Sequence, residues 1–273
     1  MDGYSEHRNE FEAVVALAAD LGVANSGHAV TDGRLEDASH IFVNITLHAM
    51  SVLRLAPTGV RPTESGATEI WDLGSISAVV RCLVDAYFVL FYIAVDQMSD
   101  EERESRKLLW KYHAQRTTLT LLKEINTTAQ DLPQLEDEVK RRKAELLRNC
   151  VYEKLAPKLQ EKARDGKLAA HVTNSELAKR GGMSPSFYKT VFRDLSDQVH
   201  TYPRSVQELK AFEGGPETLK RIDIVLRYCT AFLSFAIRDY RKLFPHISIP
   251  GTADADKIVN DWLTEAAEAW DED

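Results

Sequence analysis

Apolar residues recur at three- and four-residue steps along nearly the whole chain, and no stretch alternates apolar and polar positions between turn residues. The periodicity predicts helices over Glu10–Leu21, Leu35–Leu55, Ser75–Met98, Ser105–Ile125, Leu132–Leu159, Asn174–Gly181, Pro185–His200, Pro216–Leu243 and Ala253–Ala269. Prolines and glycines punctuate them: Pro57, Gly59, Pro62 and Gly66 in one loop, Gly214 and Gly215 ahead of Pro216, and Pro245, Pro250 and Gly251 near the end. The expected class is all-α, a single multi-helix bundle-like domain of about eight to nine helices. Residues 1–34 read as an N-terminal helix and linker, 35–245 as the helical core, and 246–273 as a last helix with the acidic tail Asp271-Glu272-Asp273. The longest irregular piece is 56–73.

One helix is apolar enough to raise the question of a membrane. Ile76 to Val95 has the length of a span, but it carries Arg81 and Asp85, each costing about 2.5 to 3.5 kcal/mol at mid-membrane. A core helix with no membrane partner is the expectation. Arg81 and Asp85 stand one turn apart, so if buried they must pair with each other or with the Arg193 helix.

Composition narrows the class further. With 273 residues and 44% hydrophobic content the chain can bury a substantial core, and its formal charge of −8 argues against a protein that coats nucleic acid over its whole surface. The charge is segregated, however: residues 138 to 193 hold 14 Lys/Arg against 6 Asp/Glu. Within that stretch Lys140-Arg141-Arg142-Lys143 is the candidate for contact with a phosphate backbone, although interleaved glutamates also suit a solvated helix face. The three cysteines, Cys82, Cys150 and Cys229, are widely spaced in apolar patterns and suggest neither disulfides nor a metal cluster, which fits a reducing cytoplasm. No cofactor loop, nucleophile elbow or zinc-ligand spacing is present in the sequence, so no cofactor and no metal are expected. Trp110 with His113, and Asn44 with His48, share helix faces and read as satisfied core polar groups.

The chemistry concentrates between Phe187 and His200. Phe187, Val191, Leu195 and Val199 recur at four-residue steps, while Arg193 and His200 are seven apart and share another face, with Ser196 and Asp197 between them. An imidazole transfers protons near neutral pH and a guanidinium holds phosphate, a pair sufficient for RNA cleavage without a metal. One imidazole cannot easily serve both proton transfers, so a homodimer is the natural arrangement. Arg193 and His200 are therefore the candidate catalytic residues, with Asp194, Ser196, Asp197, Arg81 and Asp85 in support.

Two other classes fit parts of the same region. Ser175 to Tyr188 resembles a helix-turn-helix, which would make Ser184 to Lys189 a DNA-reading segment, but Phe187 and Tyr188 look like core residues. A non-catalytic helical module, binding a protein or RNA, would instead use Arg193, Asp197 and His200 in an internal hydrogen-bonded network. At Arg193-Asp194 followed by His200, with six residues intervening, the chain resembles the HEPN superfamily. Tyr188, Phe192 to Ser196, Val199-His200 and Arg81 to Asp85 also look like a related helical family, over about residues 35 to 245. The resemblance implies an all-helical and often dimeric protein. Many such proteins are RNases of toxin or antiviral systems, and others are non-catalytic; in the active ones the arginine and histidine serve the cleavage site. The chain is long for one such unit, and its extra helices could bury the motif.

Overall fold

A computed structural model describes residues 2–28, 32–58, 71–125, 132–200, 202–212 and 216–268. Among the described residues the protein is all-α, with twelve α-helices and no strand. Most of the 56–73 loop, the Gly214-Gly215 turn and the acidic tail lie outside the described residues.

Contacts divide the chain into two compact units. The larger, Met1–Val95 with Asn174–Asp273, contains α1 (Asp2–Ala24), α2 (Gly33–Leu55), α3 (Leu73–Leu90), α8 (Asn174–Arg180), α9 (Pro185–Val199), α10 (Pro203–Phe212), α11 (Pro216–Leu243) and α12 (Ala253–Glu268). The smaller, Asp96–Thr173, contains α4 (Asp100–Glu124), α5 (Leu132–Leu147), α6 (Cys150–Lys154) and α7 (Pro157–Arg164).

Twelve helices exceed the eight to nine expected from periodicity, for two local reasons. The stretch read as one helix from Leu132 to Leu159 breaks twice. Asn149 turns its side chain back to cap α6, accepting from the Val151 amide at 2.9 Å, and Pro157 opens α7, where its missing N–H costs nothing. The other addition is α10, a ten-residue helix that begins at Pro203 in a stretch to which the periodicity assigns no helix.

In the larger unit α3 packs against α2, α9 and α11. Its Ile76, Val80, Leu83, Val84 and Tyr87 recur at helical spacing and are buried, which gives it an apolar face toward each neighbour. Asp72 caps its start by accepting from the Ser75 amide at 2.8 Å, and those Ser75 hydrogen bonds hold the Asp72 carboxyl below its usual range. Leu73–Val95, counting the π-helical turn Phe91–Val95, is long and apolar enough to cross a membrane by composition; here its apolar face is spent on packing.

The core of this unit contains a fully enclosed carboxylate. Asp239 on α11 is 0% exposed and accepts from Arg238 Nε at 2.8 Å, Lys242 Nζ at 3.1 Å and the Tyr87 hydroxyl at 3.2 Å. Arg238 also donates to the Gly181 carbonyl at 3.0 Å, tying α11 to the turn between α8 and α9. That turn needs its glycines. Gly182 adopts φ 79°, and a Cβ at Gly181 would come within 3.2 Å of the Phe91 ring.

In the smaller unit the core gathers Leu109, Tyr112, Leu119, Val139, Leu146 and Ala163 from α4, α5 and α7. Beside it, Arg106 is almost fully enclosed and donates to Asp96 at 2.8 Å and to Glu102 at 2.9 Å. His171 lies 2.9 Å from the same Glu102.

Removing a buried carboxylate leaves its cations uncompensated, so Asp239→Ala is expected to lower the unfolding free energy by about 3 to 5 kcal/mol. Urea unfolding followed by circular dichroism measures this; a midpoint equal to the parent's would show that the Asp239 cluster does not hold α11, α3 and the glycine turn together.

Candidate functional site

Helix α9 opens at Ser184, whose hydroxyl accepts from the Phe187 amide at 3.4 Å, and Pro185 supplies the first helical residue. Its buried face is Phe187, Tyr188, Val191, Asp194, Leu195 and Gln198. Phe187 stacks on Phe232, with ring centroids 6.1 Å apart, and Tyr188 meets Phe88 edge-to-face at 5.0 Å. Of the segment that a helix-turn-helix would present to DNA, Ser184, Phe187 and Tyr188 are therefore packed into the core, while Ser186 and Lys189 stay exposed.

Arg193 lies on the opposite side. It is exposed and lines an open groove of about 390 Å³ with Tyr188, Lys189, Phe192, Ser196 and Asp197. Helical spacing puts Arg193, Ser196 and Asp197 on one side, but His200, the other member of the seven-residue pair, is the C-cap beyond Val199, where α9 ends. His200 is exposed, its ring 5.4 Å from that of Tyr202, and it does not line the groove.

Arg81 reaches this face from α3. Its Nε donates to Asp85 at 3.1 Å, its Nη1 donates to Ser196 Oγ at 2.8 Å, and its guanidinium lies 3.6 Å from the centre of the Phe192 ring. Ser196 passes its own hydrogen to the Phe192 carbonyl at 2.6 Å. Arg81 thus pairs both with Asp85 and with the Arg193 helix. The pair is less enclosed than an apolar helix suggests, since the Asp85 side chain is 48% exposed.

Asp194 has a different role from its neighbour. It is buried and accepts from Arg221 Nη2 on α11 at 2.8 Å and from Arg204 Nη2 on α10 at 2.9 Å. Arg204 also donates to Asp197 at 3.4 Å and to Glu208 at 3.0 Å, and Gln198 donates to Glu208 at 2.6 Å. The Tyr228 phenol is pushed up to about 12 by burial and then by the Asp194 carboxylate, so it keeps its proton. This network fixes α10 against α9 just beyond His200. Arg204, Arg221 and Glu208 were not legible as site residues, because their partners come from elements distant in sequence. Lys189 and Phe192 could have been found, at four residues and one residue before Arg193 on the same helix.

The basic run sits on α5 in the smaller unit. Lys140 pairs with Asp137 at 3.0 Å on the surface, whereas Arg141, Arg142 and Lys143 have no carboxylate partner among the described residues.

The two carboxylates, Asp194 on α9 and Asp85 on α3, predict different costs. Asp194→Ala leaves two arginines facing a buried vacancy and is expected to lower stability by about 3 kcal/mol. Asp85→Ala breaks a half-exposed pair and should cost no more than about 1 kcal/mol. Paired thermal melts check both. Equal melting temperatures for the two variants would contradict the assignment of Asp194 as an anchor.

No curated protein and no solved structure matches the chain. A family model, described as a family of unknown function (DUF5677), matches residues 41–216, a span that includes Arg81 to Asp85, Lys140 to Lys143 and Arg193 to His200. More than half of the sequence is covered, and the chain belongs to the DUF5677 family.

Proposed function

We propose that the protein is a cytoplasmic, metal-independent RNA endonuclease related to the HEPN superfamily, with Arg193 and His200 as its catalytic residues. The observation that carries this reading is the outward placement of Arg193 in the α9 groove, beside Lys189 and Phe192, with a solvent-exposed imidazole at the end of the same helix. Arg193 and Lys189 can hold a phosphodiester, and His200 can take the ribose 2′-hydroxyl proton or return one to the leaving oxygen. Arg81 and Ser196 brace Phe192 and so stiffen the wall of the groove. Asp194, turned inward, positions the helix and takes no part in proton transfer. A second copy of the chain would supply the second imidazole that the two proton transfers call for, and the unpaired cations of α5 would add non-specific affinity for RNA.

One observation favours a second reading, a helical RNA- or protein-binding module. His200 stands outside the Arg193 groove, so a ligand can occupy the groove without meeting the imidazole.

Purified protein incubated with mixed single-stranded RNA distinguishes the two. The endonuclease reading expects cleavage to 2′,3′-cyclic phosphate ends, lost in His200→Ala and reduced at least about a hundredfold in Arg193→Ala, with melting temperatures preserved and no effect of EDTA. Cleavage that survives in His200→Ala or requires magnesium would overturn this mechanism. Binding without cleavage would establish the module instead.

A further inference from the structure

The smaller unit contains a groove that the α9 chemistry does not use. It runs along α4 and over the turn that ends α7, encloses about 600 Å³, and is lined by His113, Arg116, Thr120, Leu121, Glu124 and Lys167, among others. That is within the size range of small-molecule sites. His113 to Glu124 spans three helical turns, about 16 Å of wall.

Its two central side chains are held in place. His113 Nδ1 lies 2.7 Å from the Gly166 carbonyl. A carbonyl only accepts, so Nδ1 carries the hydrogen and Nε2 is the acceptor of the neutral ring. No hydrogen bond occupies Nε2 among the described residues. Gly166 makes this contact possible: it adopts φ 72°, and a Cβ there would collide with Arg116 Cγ. The Arg116 stem therefore lies directly against the turn. Its Nη1 donates to Thr120 Oγ1 at 3.0 Å, and Thr120 donates to the Arg116 carbonyl at 2.9 Å. Arg116 is half-buried and has no carboxylate partner among the described residues. Its stem is pinned and its guanidinium is open to the groove with no acid against it, so its charge is available to an anion from outside the protein.

Lys167, next to Gly166, adds a second cation at the same end. Asp165 also lines the groove, but it sits between Arg164 at 3.9 Å and Lys167 at 3.7 Å, which offsets its charge. No group of three or more His, Cys, Asp or Glu side chains is placed to hold a metal ion among the described residues. At the other end Leu121, 55% exposed, offers an apolar surface, with Glu124 beside it as a hydrogen-bond acceptor.

We propose that this groove binds a phosphomonoester, with the phosphate at the His113, Arg116 and Lys167 end and an apolar or aromatic body over Leu121. A monoester suits the imidazole better than a diester. Its second ionisation lies near 6, so it presents a P–OH that a neutral Nε2 accepts or a P–O⁻ to which a protonated ring donates. A diester has no P–OH. A nucleoside monophosphate is of the right size and shape, whether it arrives free or as the phosphorylated end of a nucleic acid.

The test is calorimetric titration of the full chain, with the His113 ring proton followed by NMR, using inorganic phosphate, adenosine 5′-monophosphate, a 5′-phosphorylated ribonucleotide trimer and dimethyl phosphate as probes. Phosphate and the monophosphate should shift the His113 signal, and dimethyl phosphate should bind at least about tenfold more weakly than phosphate. Arg116→Gln should weaken monophosphate binding about tenfold, and the more exposed Lys167→Gln about threefold, with Lys167→Gln keeping the parental melting temperature. Trimer affinity above that of the free monophosphate identifies a nucleic-acid end as the source; the reverse identifies a free nucleotide. The His113 shift produced by inorganic phosphate and by adenosine 5′-monophosphate should be the same in Arg193→Ala as in the parent, which separates this site from the α9 groove, where the trimer can also be held. No shift at His113, equal affinity for dimethyl phosphate, or undiminished binding in both the Arg116→Gln and Lys167→Gln variants would overturn the proposal.

Discussion

The outer face of α9 depends on where Asp194 points. Successive helix residues turn by about 100°, so a buried ion cluster on Asp194 carries Arg193 to the outside of the same turn. The carboxylate is held by the largely buried Arg221 from α11 and by the half-exposed Arg204 from α10. A residue adjacent to the key arginine thus acts as its anchor, and the groove inherits its geometry from a contact on the far side of the helix.

The rest of the larger unit supports that arrangement through rigid contacts. Helix α3 brings Arg81 to the α9 surface because its other face is committed to α2 and α11. Helix α11 is fixed in turn by Asp239, which binds Arg238, Lys242 and Tyr87, while Arg238 holds the Gly181 carbonyl at the turn that launches α9. Two enclosed carboxylates, Asp239 and Asp194, therefore lock opposite ends of the same helix-to-helix contact. Each accepts from at least one arginine, whose planar donors can serve a carboxylate and a second acceptor together.

Much of this was legible in the sequence. Apolar spacing identified α3, α9 and α11, and the Arg193, Ser196, Asp197 face followed from helical geometry. What escaped had identifiable causes. Asp194 and Gln198 fall on the buried face by periodicity, which implies partners, but Arg221 and Glu208 become those partners only through tertiary packing. The breaks at Asn149 and Pro157 hid within a charged amphipathic run, although an asparagine cap and a helix-opening proline both mark them. Pro203 could have announced α10 by the same rule. His113 looked like a satisfied core group, and half of it is: the sequence gives no sign that its second nitrogen is open.

The central proposal is that Arg193, and not Asp194, is the residue that meets RNA. The salt dependence of single-stranded RNA binding tests it most directly, because the slope of log K against log salt counts phosphate contacts and responds little to lost stability. Replacing Arg193 with Gln should reduce the magnitude of that slope by about 0.7, the contribution of one phosphate contact on a single strand, whereas Asp194→Asn, measured where it remains folded, should leave it unchanged. A slope unaltered by Arg193→Gln would contradict the account.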